Sequence, residues 1–130
     1  MSKIALVHGD LTERIVGVFY EVFRELGAGF LEVAYQRAMQ VALADAGMTS
    51  AREVPTTVYF RDRVVGDYRM DLIVENAVIV ECKTADRIMP AHRAQMINYL
   101  SATEHTVGLI LNFGPTPTFA RLIFQSRRKR

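Results

Sequence analysis

Three residues near the middle of the chain have types and spacing suited to phosphodiester chemistry: Asp71, Glu81 and Lys83. Glu81 and Lys83 stand two apart in a β-branched run, 77–83, that reads as a central strand. Alternation puts them on one face with Ile79, while Val78, Val80 and Cys82 point the other way. Asp71 belongs to the preceding strand pattern, 64–74, and shares a face with Ile73. Adjacent carboxylates repel, and without a cation one of them tends to keep its proton. Mg²⁺, a hard ion that takes a few carboxylate oxygens and keeps water and phosphate oxygens as its other ligands, relieves that repulsion. The carbonyl of Cys82 is a natural further oxygen ligand. Lys83 can orient or deprotonate an attacking water, or neutralise charge developing on a phosphate. The plainer alternative is a cross-strand salt bridge between Lys83 and an acid.

The cluster imposes a condition on strand register. If Val74 pairs with Ala77 across a two-residue loop, Asp71 faces Val80 and the two acids fall on opposite faces. If Val74 pairs with Val78 across three residues, Asp71 faces Glu81. The second register also gathers Leu72, Val74, Val78, Val80 and Cys82 on one apolar face. It is therefore the register expected here, through an odd loop or an equivalent bulge.

Around this hairpin the pattern gives the order α-α-β-β-β-α-β-β. Thr12 is the expected N-cap of a first helix, whose buried stripe is Ile15, Val18, Phe19, Val22, Phe23 and Leu26. Gly27 and Gly29 separate it from a second helix, 30–46, with Leu31, Ala34, Ala38, Val41 and Ala42 inward. A strand at 56–60 follows Pro55, then a polar turn at 61–63. The strand 64–74 is expected to bend near Gly66. Pro90 opens a third helix running to about Ala102. Strands at 107–113 and 118–124 flank a Gly-Pro-Thr-Pro turn.

The chain has 130 residues, half of them hydrophobic and 23% charged, which fits one mixed α/β domain, 1–130, with a core that needs no disulfide. Its one cysteine, Cys82, suits a reducing cytoplasm, and the short apolar run at 4–7 is too short for a leader or a membrane span. The formal charge is +2, but the last four residues are all basic, and without them the balance is −2. This short basic tail, 126–130, is either a phosphate contact or a solvated end.

The Asp71 … Glu81-Cys82-Lys83 pattern resembles the PD-(D/E)XK nuclease superfamily, with Met70 in place of the proline. Gln95-Met96-Ile97-Asn98-Tyr99 is a Q-x-x-x-Y element whose ends share a helix face, and it resembles the RecB-like branch. There the glutamine and tyrosine flank the metal site. A core tyrosine and an exposed glutamine are the alternatives. Gly29-Phe30-Leu31-Glu32-Val33-Ala34-Tyr35 reads G-x-x-E-x-x-Y and resembles the GxxExxY family of small stand-alone members, a likeness that runs from the first helix through Asn112-Phe113-Gly114. That likeness implies that Glu32 is a metal acid, direct or through water, and Tyr35, three residues on, can stand on the same side. The alternatives are a glutamate favouring the helix dipole and a packed tyrosine.

His8, His92 and His105 have no ligand spacing, so no zinc site is implied. Gly27-Ala28-Gly29 lacks the spacing of a phosphate loop. The expectation is a restriction-endonuclease-like α/β domain, its mixed sheet flanked by helices. Glu32, Asp71, Glu81, Lys83 and Gln95 would be catalytic around one Mg²⁺ or Mn²⁺ held by Glu32, Asp71, Glu81 and Cys82, with Tyr35 and Tyr99 toward substrate. The implied partner is nucleic acid, DNA ahead of RNA, and no membrane. A free-standing duplex nuclease usually carries a broader basic surface. A homodimer, a partner subunit or a single-stranded substrate would resolve that tension. The rivals are a regulatory or binding module that kept the fold, and an interaction protein whose cluster is a salt bridge.

Overall fold

The computed structural model describes residues 7–125. The tail at 126–130 and most of the run at 4–7 lie outside them. The elements are α1 (Gly9–Leu26), α2 (Glu32–Asp45), β1 (Ser50–Phe60), β2 (Arg63–Val74), β3 (Val78–Lys83), α3 (Pro90–Ala102), β4 (Val107–Phe113) and β5 (Pro117–Ile123), in the order expected. The five strands form one sheet in sequence order, antiparallel throughout except for the parallel pair β3–β4. α3 makes that crossover, since parallel neighbours need a long connection.

The two sheet faces bury different things. Val78, Val80 and Cys82 of β3 join Leu72, Val74, Leu109 and Leu111 in a core under α1 and α2, built on Ile15, Phe19, Tyr35, Met39 and Leu43. Ile79 points the other way, into a smaller cluster with Ile73, Ile110 and the α3 residues Met96, Tyr99 and Leu100. Both faces of β3 and β4 are thus dry, and β4 is buried at every position, as a parallel pair under two helical layers requires. Among the described residues no helix is long and apolar enough to cross a membrane.

Several local expectations need correction. α1 starts earlier than Thr12. His8, at φ 55, takes the cap position, and the Thr12 hydroxyl donates to the carbonyl of Gly9 at 3.1 Å. α2 is rotated from the expected phase. Leu31 is 78% exposed and Val41 64%, whereas Tyr35, Gln36, Met39 and Leu43 are buried. Its many alanines fit either face, so they did not fix the phase. Pro55 lies inside β1 and does not precede it, which is tolerated because β1 is a sheet edge. The bend near Gly66 is present as an extra residue. Val58 pairs with Gly66 and Tyr59 with Val64, leaving Val65 unpaired.

The decisive register is the odd one. Val74 pairs with Val78, Ile73 with Ile79 and Leu72 with Val80. Glu75 and Asn76 turn the loop at φ 54 and 50. The Glu75 carboxylate fastens it by accepting from the backbone N–H (2.7 Å) and the hydroxyl (3.1 Å) of Thr49.

Candidate active site

β2 and β3 stop pairing at Leu72 and Val80, one residue before the acids. There the alternation of β2 also breaks. Met70 sits in the α3-side cluster with Ile73, although the two have opposite parity. Across from the break, Glu53 of β1 takes φ 57. The two strands open into a fork, and the acids occupy it. The backbone N–H of Asp71 donates to Glu81 Oε2 at 2.8 Å, and the N–H of Cys82 donates to Asp71 Oδ2 at 2.8 Å. Each strand thus offers an amide to the other strand's carboxylate, in place of the ladder bonds that would have closed the gap. Oδ1 of Asp71 and Oε1 of Glu81 accept neither of these amides. In an extended strand a residue's N–H and C=O point to the same edge, so the Cys82 carbonyl faces the fork as well.

Burial makes this pair unlike surface acids. Glu81 is 3% exposed. Desolvation, and then the neighbouring Asp71, push its carboxyl up to about 8, against the pull of the Asp71 amide and of Lys83. Asp71 is also raised, first by desolvation, while the Cys82 amide and Lys83 draw it down. The thiol of Cys82 is buried and pushed far up by desolvation and the surrounding acids, so it stays a neutral packing group.

Lys83 links the fork to α3. Its Nζ lies 3.9 Å from Glu81 Oε1 and donates to Gln95 Oε1 at 2.9 Å. Gln95 Nε2 donates to the hydroxyl of Tyr99 at 3.3 Å, and that hydroxyl donates to the carbonyl of Arg69 at 3.5 Å. Desolvation and the acids push Tyr99 up to about 12, so its hydroxyl keeps its proton. Gln95 and Tyr99 are four residues apart on α3, the spacing that stacks them on one helix face. The relay runs from Glu81 back to β2 beside Asp71.

Glu32, the first residue of α2, approaches from the other layer. It is half-buried, and its charge raises Asp71, Glu81 and Cys82. Tyr35 stands elsewhere than expected. It is fully buried, stacked on Phe113 with centroids 4.2 Å apart, and its hydroxyl donates to the carbonyl of Gly27 and accepts from the N–H of Phe30. No substrate reaches a side chain so enclosed. Tyr35 braces the 27–31 link, where Gly29 adopts φ 111, and so sets where α2 and Glu32 begin. Arg69 is exposed and donates to the carbonyl of Glu53 at 3.3 Å.

Two contributors were not found from sequence. Asn112, fully buried opposite Lys83, accepts from the N–H of Ala85 and donates to its carbonyl, both at 2.9 Å. This clamp fixes the chain leaving Lys83, and it requires Gly114, where a Cβ would stand 1.9 Å from the Ala85 carbonyl oxygen. The available signal was a lone amide in the otherwise apolar strand β4. His92 is the other. Its Nδ1 accepts from the N–H of Met89 at 2.9 Å, it is half-buried, and desolvation followed by Lys83 holds it below the usual histidine range.

Among the described residues no group of three or more His, Cys, Asp or Glu side chains is gathered to hold a metal ion. A cation in the fork would have two carboxylates as side-chain ligands and would complete its shell with backbone, water and phosphate oxygens. Mg²⁺ is often bound in this way. A cavity of about 870 Å³ lies at the start of α1 against Leu109 and Phe119, away from these residues.

A sequence model of the PD-(D/E)XK nuclease superfamily matches residues 9–122. The chain belongs to that superfamily, and its five-stranded mixed sheet between helices is restriction-endonuclease-like. Among solved structures, the crystal structure of SSO0001 superposes with a TM-score of 0.49 at 16% identity, over 86% of this chain and 66% of that one. The chain therefore spans just under two thirds of that protein's length. No match was found among curated proteins.

Proposed function

We propose that this protein is a metal-dependent nuclease that hydrolyses phosphodiester bonds, of DNA before RNA, at the β2–β3 fork. Within the superfamily we group it with the GxxExxY proteins and the RecB-like branch, on the 29–35 and 95–99 elements. The supporting observation is the fork itself: Asp71 and Glu81 are oriented by backbone amides at 2.8 Å, and Lys83 is held beside them by Gln95. A cross-strand salt bridge alone would not call for a buried glutamate and a half-buried aspartate that each accept the other strand's amide.

Mg²⁺ or Mn²⁺ fits the donor set. Asp71 Oδ1, Glu81 Oε1 and the Cys82 carbonyl would hold it, with Glu32 acting through water. When bound, such an ion supplies Lewis-acid polarisation of the phosphoryl group. The chain's own residues do the rest. The Asp71 and Cys82 amides fix the carboxylates before substrate arrives, so little reorganisation remains. Lys83 directs its ammonium at the attacking water or at the charge growing on the phosphate. Gln95 restricts Lys83 to one orientation, and Tyr99 restricts Gln95. The buried, unpaired thiol of Cys82 suits a reducing compartment, and we place the activity in the cytoplasm.

The test is cleavage of labelled single- and double-stranded DNA and RNA with Mg²⁺, Mn²⁺ or chelator. Cleavage is expected only with metal, and Asp71→Ala and Lys83→Ala are each expected to lower it by about 10²–10⁴-fold. A band shift without cleavage would favour a binding module that kept the fold. Cleavage unaffected by both substitutions would remove the fork from the chemistry.

A further inference from the structure

Beside the fork a groove of about 680 Å³ runs between the β1–β2 hairpin and α3, and Gln95 and Tyr99 line it as well as the site. The relay residues therefore face the fork on one side and the groove on the other. The α3 wall is made of small side chains, including Ala91, Ala94 and Ser101, with Asn98 among them. The opposite wall carries Tyr68, 51% exposed.

Tyr68 is exposed but not loose. Its ring lies over Gly66, where a Cβ would stand 2.7 Å from Cε2 of Tyr68. Its centroid is 6.4 Å from that of Tyr99, at 63°, an edge-on contact that fixes the tilt of the ring. The site thus has a half-exposed aromatic face, preset before any ligand binds. None of the residues lining the groove is charged, so a phosphate entering it would find no cation, whereas a neutral planar group finds a π-face and the amides of Gln95 and Asn98. The volume lies in the range of small-ligand clefts.

We infer that this groove receives an unpaired nucleobase, stacked on Tyr68, of a single strand whose phosphate lies in the fork. The inference rests on the nuclease reading and narrows its substrate to single-stranded ends or flaps. A duplex keeps its bases stacked inward and has none to offer. Single-strand binding through aromatic faces also does without a broad basic surface, because stacking contributes where charge is sparse. This agrees with the −2 balance outside the last four residues.

The test uses the full chain in chelator, so that nothing is cut. Fluorescence anisotropy measures binding of a short dye-labelled oligothymidine and of a duplex of equal length. Tyr68→Ala is expected to weaken oligothymidine at least about fivefold, the loss of one base stack. Tyr68→Phe keeps the π-face and is expected to bind as the parent does. Gly66→Ala displaces the ring without removing it and is expected to fall between. Duplex binding is expected to be weak and indifferent to all three. Unchanged oligothymidine affinity in Tyr68→Ala, no oligothymidine binding by the parent, or an equal loss on duplex would each overturn the inference. So would a Tyr68→Ala variant that turns a dimer into a monomer, because the occupant would then be a second copy. Cleavage in Mg²⁺ that depends on Asp71 but not on Tyr68 would leave the nuclease reading standing while the groove fails. Tyr68-dependent binding by a protein that cuts nothing would do the reverse.

Discussion

The two halves of β3 differ in what their backbone meets. From Val78 to Val80 the strand pairs with β2 residue for residue, and its side chains are buried and apolar. From Glu81 to Lys83 it keeps its parallel partner β4 but loses β2, and carboxylates accept the amides instead. The first half satisfies every group and stabilises the fold. The second accepts two crowded, poorly solvated acids, a cost that only a cation or a proton relieves. Six residues thus contain both a core strand and the candidate site. They stay together because β4, buried at every position, supports both halves equally.

Substitution separates the halves. Ile79→Ala, in the paired half, is expected to cost about 2–5 kcal/mol of stability by urea denaturation, the usual range for emptying a buried aliphatic site. Asp71→Asn, in the fork, keeps an acceptor for the Cys82 amide and removes a raised carboxyl. It is expected to leave metal-free stability equal or higher while abolishing cleavage. If Asp71→Asn is as destabilising as Ile79→Ala, the fork is a structural element and the contrast breaks.

Asn112→Ala tests the boundary between the halves. Both backbone groups of Ala85 lose their partner, for an expected cost of about 1–3 kcal/mol. Cleavage is expected to fall further than the loss of folded protein explains, because Lys83 leaves the strand through that clamp. A loss of activity matching the loss of fold would limit Asn112 to a packing role.

The pH dependence of stability has opposite sign at the two ends of the hairpin. Glu75, at the turn, is held below the ordinary value of 4.5 by its two bonds from Thr49. Its contribution is present above the unfolded value and is lost as pH falls through the folded one. Glu81 is raised from 4.5 to about 8. The folded state binds that proton more tightly, so stability is fully present below 4.5 and declines as pH rises toward 8. Thermal melts in chelator are expected to lose the neutral slope in Glu81→Gln and part of the acid slope in Glu75→Gln. The same slope in parent and Glu81→Gln would contradict the buried-acid reading.

The sequence carried the fold wherever a pattern had one solution. The odd hairpin register followed from grouping Leu72, Val74, Val78, Val80 and Cys82, because any one-residue slip would have exposed them. α3 was bounded by Pro90, and β4 by its unbroken apolar run. The phase of α2 was not legible, since alanine at several positions is compatible with either face and Leu31 and Val41 are apolar yet exposed. In the candidate site, the types and spacing of Asp71, Glu81, Lys83, Gln95 and Tyr99 could be read, and the structure brings these side chains together. The fork could not, because a carboxylate that accepts a backbone amide across strands leaves no trace in composition. Asn112 and Gly114 were hidden for a similar reason, as their partner is backbone of Ala85. Tyr35 misled because a motif gives identity and spacing but not burial.

We propose that the fork holds a divalent cation. Isothermal titration calorimetry of the full chain with Mn²⁺ near neutral pH tests it most directly. One ion per chain is expected, with proton release as Glu81 gives up its proton, and binding lost in both Asp71→Asn and Glu81→Gln. Mn²⁺ heats that are absent, or that persist unchanged in both variants, would contradict the account.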